Sequence, residues 1–254
     1  MSEGLEIAEK VFDEASLDNV RISRHFEGLA PHRFITLLCT ECGKTWQHEI
    51  DCGDRLCPRC NANRRKRIMD RYLPVVRQMA RPKFITLTVP RRPLTERNVE
   101  RLREAFTRLR HRKVWKAVGG IYQIEIGTLD DLGNCNLHIH AIIDSDWMSQ
   151  KELSQAWLEI TGDGYIVDIR EAKGDRDLLR YMTKHLVKMP SNVPDWQHDL
   201  INEVLHDTRL VQGFGSCHRL NLPLRMPVCP FCGALGSVIV CDFEPMVSDF
   251  SGVA

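Results

Sequence analysis

The sequence predicts an α+β chain with small zinc-binding modules. Three observations carry that prediction. Short β-branched runs alternate with longer, charged, amphipathic runs. Two of the short runs are separated only by a turn and so read as an antiparallel hairpin. Cysteines gather in Cys-x-x-Cys pairs near both ends of the chain.

At 254 residues the chain can bury a real core. No apolar run is long enough to span a bilayer, so no membrane partner is expected. Met1 to Ser16 is acidic and interrupted by charge, unlike a signal peptide. The expected location is cytoplasmic, where ten cysteines serve as metal ligands more readily than as disulfides. The net charge of +1 hides an asymmetry. From Arg55 to Lys116 there are 20 Lys or Arg against 4 Asp or Glu. A block this basic points to a polyanion, whose phosphates it would bind in a salt-dependent way.

Residues 1–33 read as a peripheral segment with a short acidic helix from Glu3 to Ala15. Residues 34–80 read as a zinc-binding module and a basic helix. Cys39-Thr-Glu-Cys42-Gly43 is one knuckle and Cys57-Pro-Arg-Cys60 another, with 14 residues between them. The spacing predicts a structural Zn²⁺ site from Cys39, Cys42, Cys57 and Cys60, with Cys52 able to replace one ligand. Asn61 to Met79 reads as a helix opened by Arg64, Arg65, Lys66 and Arg67. That helix is expected to contact DNA or to brace the next domain.

Residues 81–190 read as the catalytic domain. Lys83 to Val89 is a strand, and Pro90 after it fits an edge that stops cleanly. Phe84, Thr86 and Thr88 share one of its faces. Leu94 to Trp115 reads as a long basic helix broken by Gly119-Gly120. Ile121 to Gly127 is the next strand, with Glu125 on the face of Ile121 and Gln123. A turn over Asp130 to Asn134 leads into the strand Asn136 to Ile143. There Leu137 and Ile139 point one way, and His138 and His140 the other. Ser149 to Ile160 reads as a helix with Ser149 as N-cap. Tyr165 to Ile169 is a fourth strand. Asp175 to Lys188 is a helix placing Tyr181 and Lys184 three apart on one face, ended by Pro190 and Pro194.

Residues 191–254 read as a C-terminal segment. Trp196 to Thr208 is expected to be helical. Cys229-Pro-Phe-Cys232-Gly233 is a further knuckle, a second Zn²⁺ candidate whose partners lie among Cys217, His218 and Cys241. Asp242 to Ala254 reads as a frayed acidic tail.

Two imidazoles on one strand face can hold a metal ion. The hairpin brings the Glu125 carboxylate toward them, and the Tyr181 helix follows. This set reads as a metal-dependent phosphodiester-cleaving site with a tyrosine nucleophile.

Phe84-Ile-Thr-Leu-Thr88, Leu137-His-Ile-His-Ala141 and Tyr181-Met-Thr-Lys184 resemble the three motifs of the rolling-circle replication initiators of small plasmids. These are HUH endonucleases, named for His-hydrophobe-His. Cys52-Gly-Asp-Arg55-Leu-Cys-Pro-Arg-Cys60 resembles the zinc segment of that family. The resemblance covers roughly residues 35–190. It implies a central antiparallel sheet of HUH endonuclease type carrying the histidines, with the tyrosine on an adjoining helix. It implies Mg²⁺ or Mn²⁺ on His138, His140 and Glu125. It implies that Tyr181 attacks single-stranded origin DNA to give a 5′-phosphotyrosine and a free 3′-OH that primes a host polymerase. Lys184 would stabilise charge at the phosphate or on the tyrosine. Asp177, four before Tyr181, stands where some plasmid initiators carry a glutamate that activates water; read without the resemblance it is a first-turn helix acid. The sequence has no Gly-x-x-x-x-Gly-Lys-Ser/Thr phosphate loop, so unwinding would fall to a host helicase.

Three other readings compete. A two-tyrosine HUH transposase has a second tyrosine four residues after the first, where this chain has His185. A non-catalytic zinc-dependent DNA-binding regulator would need neither Tyr181 nor Glu125. A zinc hydrolase using water would leave Tyr181 and Lys184 without a role.

Overall fold

The computed structural model describes residues 33–184, 193–218 and 227–241. The expected helix over Glu3 to Ala15, the tail from Asp242 and the tyrosine helix beyond Lys184 lie outside them. Arg33–Cys39 (β1) and Thr45–Ile50 (β2) form an antiparallel hairpin. Gly43 turns it in the left-handed region at φ +67°, open to a residue without a Cβ. Pro58–Val76 (α1) follows, with Pro58 in its first turn and Cys57 as N-cap, its Sγ accepting from the Cys60 amide.

The remaining elements follow in chain order. They are Pro82–Thr88 (β3), Arg92–Pro93 (β4), Glu96–Arg110 (α2), Ala117–Ile126 (β5), Asn134–Cys135 (β6) and Leu137–Ser145 (β7). Then come Gln150–Thr161 (α3), Ile166–Glu171 (β8), Asp175–Lys184 (α4), Asp195–Leu205 (α5), Val211–Gly215 (β9) and Ser237–Cys241 (β10). The α+β prediction is met. A five-stranded sheet runs in the order β8-β3-β7-β5-β9, antiparallel at every pairing. A three-stranded sheet runs β10-β1-β2.

Alternation along the central strands decides which face is core. Ile85, Leu87, Tyr122, Ile124, Leu137, Ile139, Ala141 and Ile143 fall on one face and are buried. They join Val99, Leu102, Phe106 and Leu109 of α2 with Leu153, Trp157 and Ile160 of α3 in one cluster. The two helices start where their caps dictate. Thr95 Oγ1 accepts from the Asn98 amide at 3.2 Å, and Ser149 Oγ from the Glu152 amide at 3.4 Å. Full burial of a side chain such as Leu153 stabilises by about 1.5–3 kcal/mol. The buried Trp157 indole is satisfied as well, donating to Thr88 O at 3.0 Å.

Two expectations change. β3 is an interior strand between β7 and β8, not an edge. Pro90 lies beyond its last ladder residue and costs the sheet no hydrogen bond. Gly119 and Gly120 lie inside β5 rather than between elements. A Cβ on Gly120 would stand 2.5 Å from Ile142 O, and one on Gly119 would collide with the Ser216 backbone and hydroxyl. The glycines therefore permit close strand approach at the bulge between Ala117 and Gly119.

Candidate active site and metal centres

The second face of the central sheet carries the polar residues. Register sets them in rungs. Thr88, His138 and Glu125 stand side by side on β3, β7 and β5. Thr86, His140 and Gln123 form the next rung, with Asp168 of β8 beyond Thr86. Phe84, Ile142 and Ile121 form the third. The Thr-x-Thr and His-x-His patterns share a two-residue period, so each threonine meets one histidine. Thr88 Oγ1 lies 3.0 Å from His138 Nδ1, and Thr86 Oγ1 lies 3.1 Å from His140 Nδ1. Both hydroxyls orient a ring by its Nδ1, which leaves Nε2 for another partner.

For His140 that partner is the Glu125 carboxylate, with Nε2 to Oε2 at 2.5 Å. The His138 and His140 ring centroids are 6.0 Å apart. Burial together with the neighbouring His140 lowers the His138 pKa, favouring the neutral ring that binds metal. Two imidazoles and one carboxylate on a single face suit a divalent ion and leave coordination positions for phosphate oxygens. These three residues converge less tightly than the cysteines. Among the described residues, the sets of three or more ligand atoms lying within 4.8 Å of one another are both made of cysteine.

Helix α4 closes over this face. Tyr181 stacks on Phe84 at 4.1 Å between centroids and 3° between planes. Its hydroxyl donates to Ile85 O at 3.2 Å and lies 3.3 Å from His140 Nδ1. The side chain is 4% exposed, and burial pushes the phenol up to about 12. Phe84 thus has a role its place beside the threonines did not suggest. Lys184 closes the described part of α4 and is exposed. Asp177 Oδ2 accepts from the Lys173 amide at 3.2 Å, so its carboxylate serves the turn leading into the helix.

The cysteines group differently from the pairing expected from spacing. Cys39 and Cys42 meet Cys229 and Cys232, while Cys57 and Cys60 meet Cys52. The reason is the β1–β10 pairing, which carries the C-terminal knuckle alongside the first one. Cys52, expected as a spare, is a full member of its set: Cys60 Sγ lies 3.3 Å from Cys52 Sγ. Cys217 and His218 line a cleft elsewhere, and Cys241 closes β10.

The residues between Cys52 and Cys57 do work that spacing does not reveal. Arg55 donates to the carbonyls of Leu205, His206 and Thr208 at 2.8–2.9 Å, and caps the end of α5. Asp54 is buried and accepts from Asn202 Nδ2 at 3.0 Å and from the Leu56 amide at 2.7 Å, with His198 Nε2 at 3.2 Å.

The basic run on α1 divides. Arg64 holds Asp51 through two of its nitrogens, Nε at 2.7 Å and Nη2 at 2.5 Å, and is a structural clamp. Arg67 reaches the same carboxylate at 3.4 Å. Arg65 and Lys66 are exposed. Arg64, Arg65, Arg67, Arg71 and Arg209 line a cleft of about 440 Å³ that also includes Gln123. Gln123 sits on the His140 rung, so the cationic cleft adjoins the histidine face.

A family model described as "Replication protein" matches residues 44–215. No curated protein and no solved structure matches the chain.

Proposed function

Because the chain belongs to the Rep_1 replication protein family, a match that supports a plasmid replication initiator, we propose that it nicks and rejoins single-stranded origin DNA through Tyr181. One observation carries this reading. The Tyr181 hydroxyl stands 3.3 Å from His140 Nδ1, on the sheet face that also presents His138 and Glu125.

Tyr181 Oη would form the new bond to phosphorus while the P–O3′ bond breaks. The phenol proton leaves and the departing 3′ oxygen is protonated. One phosphodiester is exchanged for another, so the linkage is retained in a 5′-phosphotyrosine and can be rejoined. Mg²⁺ or Mn²⁺ held by His138, His140 and Glu125 would polarise the phosphate and offset its charge. Thr86 and Thr88 orient the two rings, and Phe84 orients the tyrosine. The exposed Lys184 and the arginine cleft beside Gln123 are the cationic surfaces for the DNA backbone. The free 3′-OH would prime a host polymerase, with a host helicase unwinding the duplex.

The test is a cleavage assay with Mn²⁺ and 3′-labelled single-stranded hairpins drawn from the cognate origin. Wild type should give a labelled protein–DNA adduct on a denaturing gel, and Tyr181→Phe should give none. The phenylalanine ring preserves the stack on Phe84, so circular dichroism should report an unchanged fold. Cleavage that survives in Tyr181→Phe would refute the tyrosine mechanism and favour activated water. Binding of the origin without cleavage by wild type would favour a non-catalytic regulator.

A further inference from the structure

We propose that Cys39, Cys42, Cys229 and Cys232 form one tetrathiolate zinc site that joins the two ends of the described chain, separate from the Cys52, Cys57 and Cys60 cluster. Both knuckles lie outside residues 44–215, so the family match says nothing of this site.

The sulfur geometry is the first argument. In a tetrahedral ZnS₄ site with Zn–S of about 2.3 Å, neighbouring sulfurs stand about 3.8 Å apart. Cys39 Sγ lies 3.6 Å from Cys232 Sγ, and Cys42 Sγ lies 3.7 Å from Cys229 Sγ. All four sulfurs fall within 4.8 Å of one another. These separations are far too long for a disulfide of about 2.05 Å. They enclose one ion and leave no room among the thiolates for a sulfide-bridged cluster. Four thiolates also leave no open position, which marks a structural rather than a catalytic metal.

The two knuckles repeat one another, which is the second argument. Each reads Cys-x-x-Cys-Gly. In each, the glycine is left-handed, at φ +67° for Gly43 and +76° for Gly233. In each, the glycine amide donates to the first cysteine's carbonyl, at 3.0 Å from Gly43 to Cys39 and 2.9 Å from Gly233 to Cys229. The first cysteine's amide in turn bonds the second residue beyond the second cysteine, Lys44 O at 2.9 Å and Ala234 O at 2.8 Å. Two copies of one metal-binding turn face each other with their sulfurs inward.

The surroundings fit a site held closed. The first knuckle is the turn joining β1 to β2, and the second leads into β10, which pairs with β1. The Thr40 amide donates to Gly236 O at 3.2 Å, and Lys44 Nζ stands 4.9 Å from the Phe231 ring centroid. The intervening separations are 193 residues for Cys39 to Cys232 and 187 for Cys42 to Cys229. The whole catalytic sheet lies inside the loop that this ion would close. A cross-link across so long a loop removes much denatured-chain entropy, so the ion would anchor β10 to β1.

The test is zinc stoichiometry in the full chain. Elemental analysis should show Cys39→Ser and Cys232→Ser each losing the same single zinc. The double variant should lose no more than either alone. Full zinc content in Cys232→Ser, or loss of two ions in the double variant, would overturn the proposal. Wild type gives a check that does not depend on variant folding. Maleimide labelling read by peptide mass spectrometry should find Cys39, Cys42, Cys229 and Cys232 protected together and released together as chelator is raised. Labelling of Cys229 and Cys232 at a rate indifferent to chelator would equally overturn it.

Discussion

Replacing Thr88 by valine tests the idea that the β3 hydroxyls hold the proposed metal ligands His138 and His140 in place. Valine keeps the shape and β-branching of threonine, so the strand and its ladder are retained. The loss is the Oγ1 contact with His138 Nδ1 at 3.0 Å. One such hydrogen bond contributes about 0.5–1.5 kcal/mol to stability, which bounds the expected drop in folding free energy. The functional cost should be larger. Removing a partner that orients a metal-bound histidine typically costs about 10–100-fold in metal affinity or activity, or about 1.4–2.8 kcal/mol. Nicking titrated against Mn²⁺ should therefore need roughly 10–100 times more metal for half-saturation, with a nearly unchanged rate at saturating metal. Thr86→Val should behave differently, because Thr86 Oγ1 lies 3.1 Å from His140 Nδ1 and also 3.5 Å from the Tyr181 hydroxyl. It should raise the Mn²⁺ requirement and lower the saturating rate as well. A folded Thr88→Val protein with wild-type Mn²⁺ dependence would refute the orienting role. Identical behaviour of the two variants would refute the assignment of Thr86 to both the histidine and the tyrosine.

Further outcomes follow from individual contacts. Arg55→Ala strips three carbonyls at the end of α5 of their donor and should lower the free energy of unfolding by about 2 kcal/mol, read from urea melts. Gly213→Ala would drive a Cβ into Cys217 O, and should cost about 1–3 kcal/mol by the same assay. Asp130 accepts from the Asn134 amide at 2.8 Å, and this and its other donors hold its carboxyl below the usual carboxylate range. A lowered folded pKa contributes stability that is present above the unfolded value of about 3.9 and is lost as pH falls through the folded value. Urea midpoints of Asp130→Asn should therefore decline less than wild type as pH drops below about 4. Acetylation of tyrosines in the DNA-free protein should modify Tyr165, which is 63% exposed, and spare Tyr181, which is 4% exposed. Equal modification of the two would show that α4 is not seated on the sheet.

Much of the histidine-bearing face is legible in the sequence because strand periodicity is strict. His138 and His140 had to share a face, and a short turn after Ile126 had to bring Glu125 beside them. The Thr-x-Thr pattern carried the same information, yet its meaning depends on β3 pairing directly with β7. That pairing joins strands separated by α2 and β5, and no local signal fixes it. Phe84 was harder still, since a phenylalanine on a polar face looks like an irregularity until a tyrosine stacks on it. The cysteine grouping failed for the same reason on a larger scale. Spacing along the chain favoured Cys57 and Cys60 as partners of Cys39 and Cys42. The true neighbours, Cys229 and Cys232, arrive through a strand pairing nearly two hundred residues away. Gly119 and Gly120 read in sequence as a break because composition does not distinguish a turn from the close strand approach they permit inside β5.

The cysteine segment has two readings in the sequence, as a DNA-contacting module or as a brace. The contacts give the brace a concrete form. Cys57 caps the start of α1, and Arg64 in its second turn ties the helix back to Asp51 beside Cys52. Helix α1 then packs against α4, with Arg77 at its end 3.3 Å from Asp175 at the start of α4. Helix α4 carries Tyr181. On the other side, Asp54 and Arg55 hold α5, whose Ile201 and Leu205 belong to the core behind the histidine strands. The loop between Cys52 and Cys60 is thus fastened both to the helix that supports the tyrosine and to the core that supports the histidines. His138, His140 and Glu125 sit on interior strands, but Tyr181 rides on a separate helix and needs an independent support to meet them. A cysteine cluster placed immediately before that domain in sequence supplies it, while Arg65 and Lys66 stay exposed on α1.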